Sequence, residues 1–172
     1  MNRLADRTAQ PHSGVSLLIS LLIRYPEVAS VTYCPDPANL KLTFLLKRPL
    51  GLRRFRALKD RVVRSLDVYD RLEGGPPCSV SLRATTHGRV SVLEIRHDLA
   101  RTAREGLSLI VELVRAELGG FLAVDSDSFP LEEDLATQEA AIEEMLDSLR
   151  ESGTGRNLIA FREEGRVLVF NR

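Results

Sequence analysis

The sequence predicts an α+β fold, an antiparallel or mixed sheet with helices mainly on one face. Three observations carry that expectation. Residues 40–47 alternate with period two, Leu40, Leu42, Phe44 and Leu46 on one side and Lys41, Thr43, Leu45 and Lys47 on the other. A three-four stripe of Phe55, Leu58, Val62, Leu66 (with Val63), Tyr69 and Leu72 marks an amphipathic helix. Breakers such as Pro49-Leu50-Gly51 and Gly74-Gly75-Pro76-Pro77 separate these segments. Strands that alternate, instead of running continuously apolar, suit a sheet with one face covered.

The elements follow in order. Residues 1–12 are polar and aperiodic and read as a flexible arm. Ser13 or Gly14 opens an apolar helix over 15–24, stopped at Tyr25-Pro26 because proline disfavours helical dihedrals in the residue before it. Residues 28–34 read as a strand, 35–39 as a turn rich in Pro and Asp, and 40–47 as the second strand. A long helix spans 52–72. A hairpin joins 78–86 to 89–96 around His87-Gly88. That register pairs Val80 with Ile95 and Leu82 with Leu93 on one face, leaving Ser81, Arg83, Thr85, Val90, Val92 and Glu94 on the other.

Thr102-Ala103-Arg104-Glu105 has the spacing of a capping box and starts a third helix, halted by Gly119-Gly120. Residues 121–124 read as a further short strand and 126–128 as a loop. Pro130 serves as the first residue of an acidic helix through about Arg150. A last hairpin, 158–162 with 166–170, turns at Glu164-Gly165 and puts Ile159, Phe161, Leu168 and Phe170 on one face. From residue 40 onward the order strand, helix, strand, strand, helix is that of a ferredoxin-like split βαβ unit. Two αββ units in tandem are the alternative, with Gly14-Val15-Ser16-Leu17 faintly echoed by Gly106-Leu107-Ser108-Leu109. The domain organisation expected is an arm over 1–12, an α+β core over 13–125, and an extension over 126–172 packed on the core or on a partner.

Chain length and composition narrow the function classes. At 172 residues, 44% hydrophobic and 28% charged, the chain suits one globular domain with an appendage. Its longest uncharged apolar run, 15–23, is shorter than the roughly 20 residues that cross a bilayer, so no membrane role is expected. The polar start and the absence of a small-residue cleavage site argue against a signal peptide. Cys34 and Cys78 lie far apart and read as reduced thiols, which makes the cytoplasm the expected compartment.

Charge is distributed unevenly. Lysine plus arginine and aspartate plus glutamate each total 24, yet residues 47–71 hold nine basic residues against three Asp, and 125–151 hold ten acidic residues against one Arg. Such segregation creates local fields that steer partners. Lys47, Arg48, Arg53, Arg54, Arg56 and Lys59 are therefore candidates for anion or nucleic-acid binding. Against this, Arg56-Asp60-Arg64 and Asp67-Arg71 form an i,i+4 ladder that describes a self-satisfied wet face. In the acidic helix Glu139, Glu143 and Asp147 repeat with one sign at four-residue spacing, which is unfavourable without basic neighbours. The helix over 52–72, of the same or another copy, is the obvious candidate. These three acids, with Phe161 and Phe170, are the expected protein-interaction residues.

Catalytic motifs are thin. No GxSxG, HExxH or phosphate-cradling glycine loop occurs, and no cofactor or metal is implied. The central strands offer no outward aromatic on which RNA bases could stack. His97-Asp98 beside Glu94 is the one acid-base cluster the sequence suggests. The leading expectation is a non-enzymatic cytoplasmic module acting through protein association, either with itself or as an adaptor. Nucleic-acid or ribosome-associated binding through 47–64 is the alternative, and an enzyme with a site near His97 and Asp98 is the weaker one.

Overall fold

A computed structural model of the chain describes residues 10–77, 79–101, 103–124, 132–152 and 155–171. Most of the expected arm, Cys78, Thr102, the loop at 126–128 and Pro130 lie outside the described residues. The described residues form six strands: β1 (Ser30–Pro35), β2 (Ala38–Leu46), β3 (Val80–His87), β4 (Val90–Asp98), β5 (Leu158–Glu163) and β6 (Arg166–Asn171). They form one antiparallel sheet in the order β3-β4-β2-β1-β5-β6. Four helices accompany it: α1 (Gln10–Arg24), α2 (Leu52–Leu72), α3 (Arg104–Leu118) and α4 (Glu132–Ser152). The fold is α+β.

Strand order carries the expected split unit. β4 lies between β2 and β3, and α2 makes the crossover that links them. β1 continues the sheet beyond β2, and the C-terminal hairpin joins by pairing β5 with β1, Val31 opposite Ala160 and Tyr33 opposite Leu158. The residues after α3 reach the same edge of β2 only at its end. There the Lys47 N–H donates to the Phe121 carbonyl at 2.7 Å and the Ala123 N–H to the Leu45 carbonyl at 2.8 Å. The expected strand at 121–124 is thus reduced to a single bridge, Leu46 with Leu122, because β1 occupies the rest of that edge.

One sheet face is apolar and covered. Val31, Tyr33, Leu40, Leu42, Phe44, Leu46, Leu93, Ile95 and Ala160 are buried on it, together with helix residues such as Leu17, Leu21, Leu58, Val62, Ile110, Val114 and Leu146. α1 crosses β1, β5 and β6, α2 packs against α3 and β3, and α4 runs along α1 with lighter contact to α3. No described helix is long and apolar enough to cross a membrane.

Local chemistry corrects several expectations. The β3–β4 loop is Gly88-Arg89, so Val80 pairs with His97 and Leu82 with Ile95. A turn with glycine first needs positive φ at that position, and Gly88 supplies it at 61° while all face assignments stay as expected. The apolar stripe of α2 ends earlier than its period suggests: Leu72 is 80% exposed and Val63 39%, whereas Asp70 turns inward. Ala103, not Thr102, is the N-cap of α3 and makes no side-chain cap bond. Instead the Arg104 N–H donates to Glu143 Oε2 of α4 at 3.2 Å.

Candidate functional site

The basic segment is gathered where β2 ends and α2 begins. Lys47 and Arg48 leave the strand, Pro49-Leu50-Gly51 turns the chain, and Arg53 and Arg54 rise from the first turn of the helix. The turn is fixed from inside, since the Leu50 N–H donates to Ser91 Oγ at 2.9 Å and Leu50 is buried. The backbone bond from Lys47 to Phe121 brings the Gly119-Gly120-Phe121 turn alongside. The guanidinium of Arg54 stands 4.6 Å from the Phe121 ring centroid and that of Arg48 5.7 Å from it.

All six expected cations, Lys47, Arg48, Arg53, Arg54, Arg56 and Lys59, are exposed, and no carboxylate among the described residues pairs with any of them. α2 opens at Gly51 without a side-chain cap and without an acidic residue in its first turn. Of the expected ladder only Asp67 with Arg71 closes, at 2.9 Å; Arg61 reaches across to Glu117 of α3 instead. Arg53, Arg54, Ala57, Glu117 and Phe121 line a shallow depression beside Pro49 and Gly51. Phe121 was not among the sequence candidates, since nothing near it in the chain is basic.

The acidic residues have a different fate. Glu139 accepts from Arg24 at 2.9 Å and from Arg104 at 2.7 Å, tying α1, α3 and α4 together. Glu143 caps α3, and Asp147 pairs with Arg150 at 2.5 Å. Their expected partner, α2, is not the one they meet, and as interaction residues they are already engaged within the chain. Tyr25 sits in the same knot under the Arg24 guanidinium, 5.1 Å away, and its phenol is pushed up by burial despite a hydrogen bond with Ser108.

The opposite sheet face carries no helix among the described residues. Lys41 and Glu94 pair on it at 2.7 Å, and the Lys41 ammonium holds the Glu94 carboxyl below its usual range. Phe161 and Phe170 lie at its β5–β6 end, where the rings stack nearly parallel at 5.5 Å. Ile159 stands opposite Phe170 and Leu168 opposite Phe161, so the four form one apolar square with Phe170 51% exposed.

The side chains of His97 and Asp98 leave the strand on opposite faces, although the Asp98 charge and backbone also act on the imidazole. His97 faces the helices at 2% exposure, opposite Leu40 and Val80, and burial lowers its pKa while Asp70 of α2 offsets part of that effect. Asp98 faces the other way, and its Oδ1 accepts the Ala100 N–H at 2.9 Å. Glu94 lies on the open face, away from the imidazole. No cluster of three or more His, Cys, Asp or Glu suited to a metal occurs among the described residues.

Comparison with known proteins adds nothing to this geometry: no protein-family model, curated protein or solved structure matches the chain.

Proposed function

We propose that the chain is a non-enzymatic cytoplasmic binding module that associates with protein through the helix-free face and outer edge of its sheet, a second copy being the partner. The observation that carries this reading is β6. It is an edge strand with Val167 and Val169 on one face and Leu168 and Phe170 on the other; it contains no proline, and its one charge, Arg166, stands at the end beside the turn. Edge strands present unpaired N–H and C=O groups, and protected edges carry lysine, proline or a bulge. β3, the other edge, is more polar, with Arg83, Thr85 and Thr86.

Antiparallel pairing of β6 with β6 of a second copy would continue the sheet about a two-fold axis, the commonest symmetry of homo-oligomers. The Phe161–Phe170 stack, with Ile159 and Leu168, would then lie beside its counterpart and lose its exposed area to the interface. Light scattering from low to high micromolar protein tests the reading. The expected mass rises from one chain to two, and Leu168→Lys, which adds an edge charge at a half-buried position, holds it at one. A wild-type mass of one chain at every concentration would refute self-association.

A further inference from the structure

We infer that Lys47, Arg48, Arg53 and Arg54, the two outer arginines held against Phe121, form a binding site for the phosphodiester backbone of a nucleic acid. The site is distinct from the sheet edge and stands without it. The ion pairs of the molecule first single it out. The chain is neutral overall; Glu139 pairs with Arg24 and Arg104, Asp147 pairs with Arg150, and Glu143 accepts the Arg104 backbone N–H. Lys47, Arg48, Arg53 and Arg54 make no ion pair among the described residues and stand together where the first turn of α2 holds no acidic residue, so the local field there is positive.

The ring then decides what the arginines can do. A guanidinium held over an aromatic face is engaged through its flat side, and its N–H groups project in the plane, free to donate. Among the described residues no hydrogen bond or ion pair takes up the side-chain N–H groups of Arg48, Arg53 or Arg54. Phe121 is half-buried and tied by its carbonyl to Lys47, so it is a fixed base for both. Phosphate oxygens are the acceptors this donor set fits, because they take bonds from arginine, lysine and main-chain amides together. Glu117, the one carboxylate in the depression, is occupied by Arg61.

Extent favours a chain of phosphates over one. Arg53 and Arg54 stand on the first turn of α2, and Lys47 and Arg48 lie on the far side of the Pro49-Leu50-Gly51 turn, so the four cations come from two separate segments. Phe121 is already covered by guanidinium, which leaves no free ring for base stacking, so the contact is to the backbone and indifferent to sequence.

Fluorescence anisotropy with a labelled mixed-sequence single-stranded RNA, titrated with the full chain at several salt concentrations, is the test. Binding is expected at low salt, with log K falling by about 0.7 per phosphate neutralised for each unit of log salt. Arg48→Ala with Arg54→Ala is expected to weaken binding at least tenfold and to reduce that slope by about 1.4. Arg83→Ala with Arg96→Ala, the same charge loss on the open sheet face, is expected to change affinity by less than threefold. Phe121→Leu keeps every charge and is expected to weaken binding severalfold, with thermal melting verifying that the variant is folded. Absence of wild-type binding at low salt would overturn the site. So would equal losses from the two arginine pairs, unchanged affinity in Phe121→Leu, or binding of poly-glutamate as tight as that of RNA.

Discussion

His97 looks like a catalytic candidate in the sequence and proves to be an internal contact between sheet and helix. Its strand register turns it toward α2, where Asp70 interrupts an otherwise apolar stripe. The consequence is a pH dependence of stability. The folded pKa lies below the ordinary 6.5, chiefly through burial, so between the two values the unfolded chain binds more protons than the folded one. The contribution is therefore complete above about 6.5 and is lost as pH falls through the folded value. Urea midpoints measured from neutral pH down to about 5 should show this loss, and His97→Gln should remove the His97 share of it. Asp70→Asn should deepen it, because the larger of the two carboxylate effects that offset burial, those of Asp70 and Asp98, is gone. Identical pH profiles for all three proteins would show that the imidazole does not titrate in the way its surroundings require.

At the scale of elements, local pattern was legible and long-range partnership was not. The bounds of α2, Leu52–Leu72, coincide with expectation because Gly51 and Gly74-Gly75-Pro76-Pro77 punctuate both ends. The inward turn of Asp70 was missed, since a period of 3.6 residues locates a face but not the neighbour that covers it. The Glu164-Gly165 turn was readable from Gly165, and in the structure its two residues adopt positive φ, 48° and 73°, as a type I′ hairpin needs. The charge of α4 was equally plain, but its destination was not: Arg24 lies 115 residues from Glu139 and leaves no trace in local spacing. The basic cluster was legible for the same reason that α2 was, and its packing on Phe121 was not, because the backbone bonds of Lys47 to Phe121 and Ala123 to Leu45 join segments more than 70 residues apart. Glu139 and Glu143 thus act as fasteners of α4, and Glu139→Gln with Glu143→Gln should cost about 2 kcal/mol, a lost cap and two half-exposed ion pairs. Such a loss lowers Tm by several degrees. Glu144→Gln with Asp147→Asn removes the same charge from exposed positions and should cost well under half as much; equal costs would mean that general repulsion, not these contacts, dominates.

For the molecule as a whole, the described strands form one sheet, and the β5–β6 hairpin lies within it. The sequence suggested a core over 13–125 and an extension over 126–172 packed on the core or on a partner, with an acidic stretch between them. Yet β5 is inserted next to β1, and Leu158 and Ala160 are buried at 6% and 0% exposure against the face α1 also covers. Val167 and Val169 of β6 pack on the same core at partial burial, and Arg162 donates to the Leu22 carbonyl near the end of α1. Fully burying a Val or Leu side chain contributes about 1.5–3 kcal/mol, so these four residues together supply on the order of 5 kcal/mol. A domain's entire stability is about 5–15 kcal/mol. Removing residues 156–172 also uncovers the inner edge of β1, a second open edge beside an apolar face, which favours aggregation. A chain truncated after Gly155 should therefore show no cooperative melt and should precipitate at concentrations the full chain tolerates. A sharp transition within a few degrees of the intact protein would mean that the hairpin is an appendage, and that a self-sufficient core ends before it.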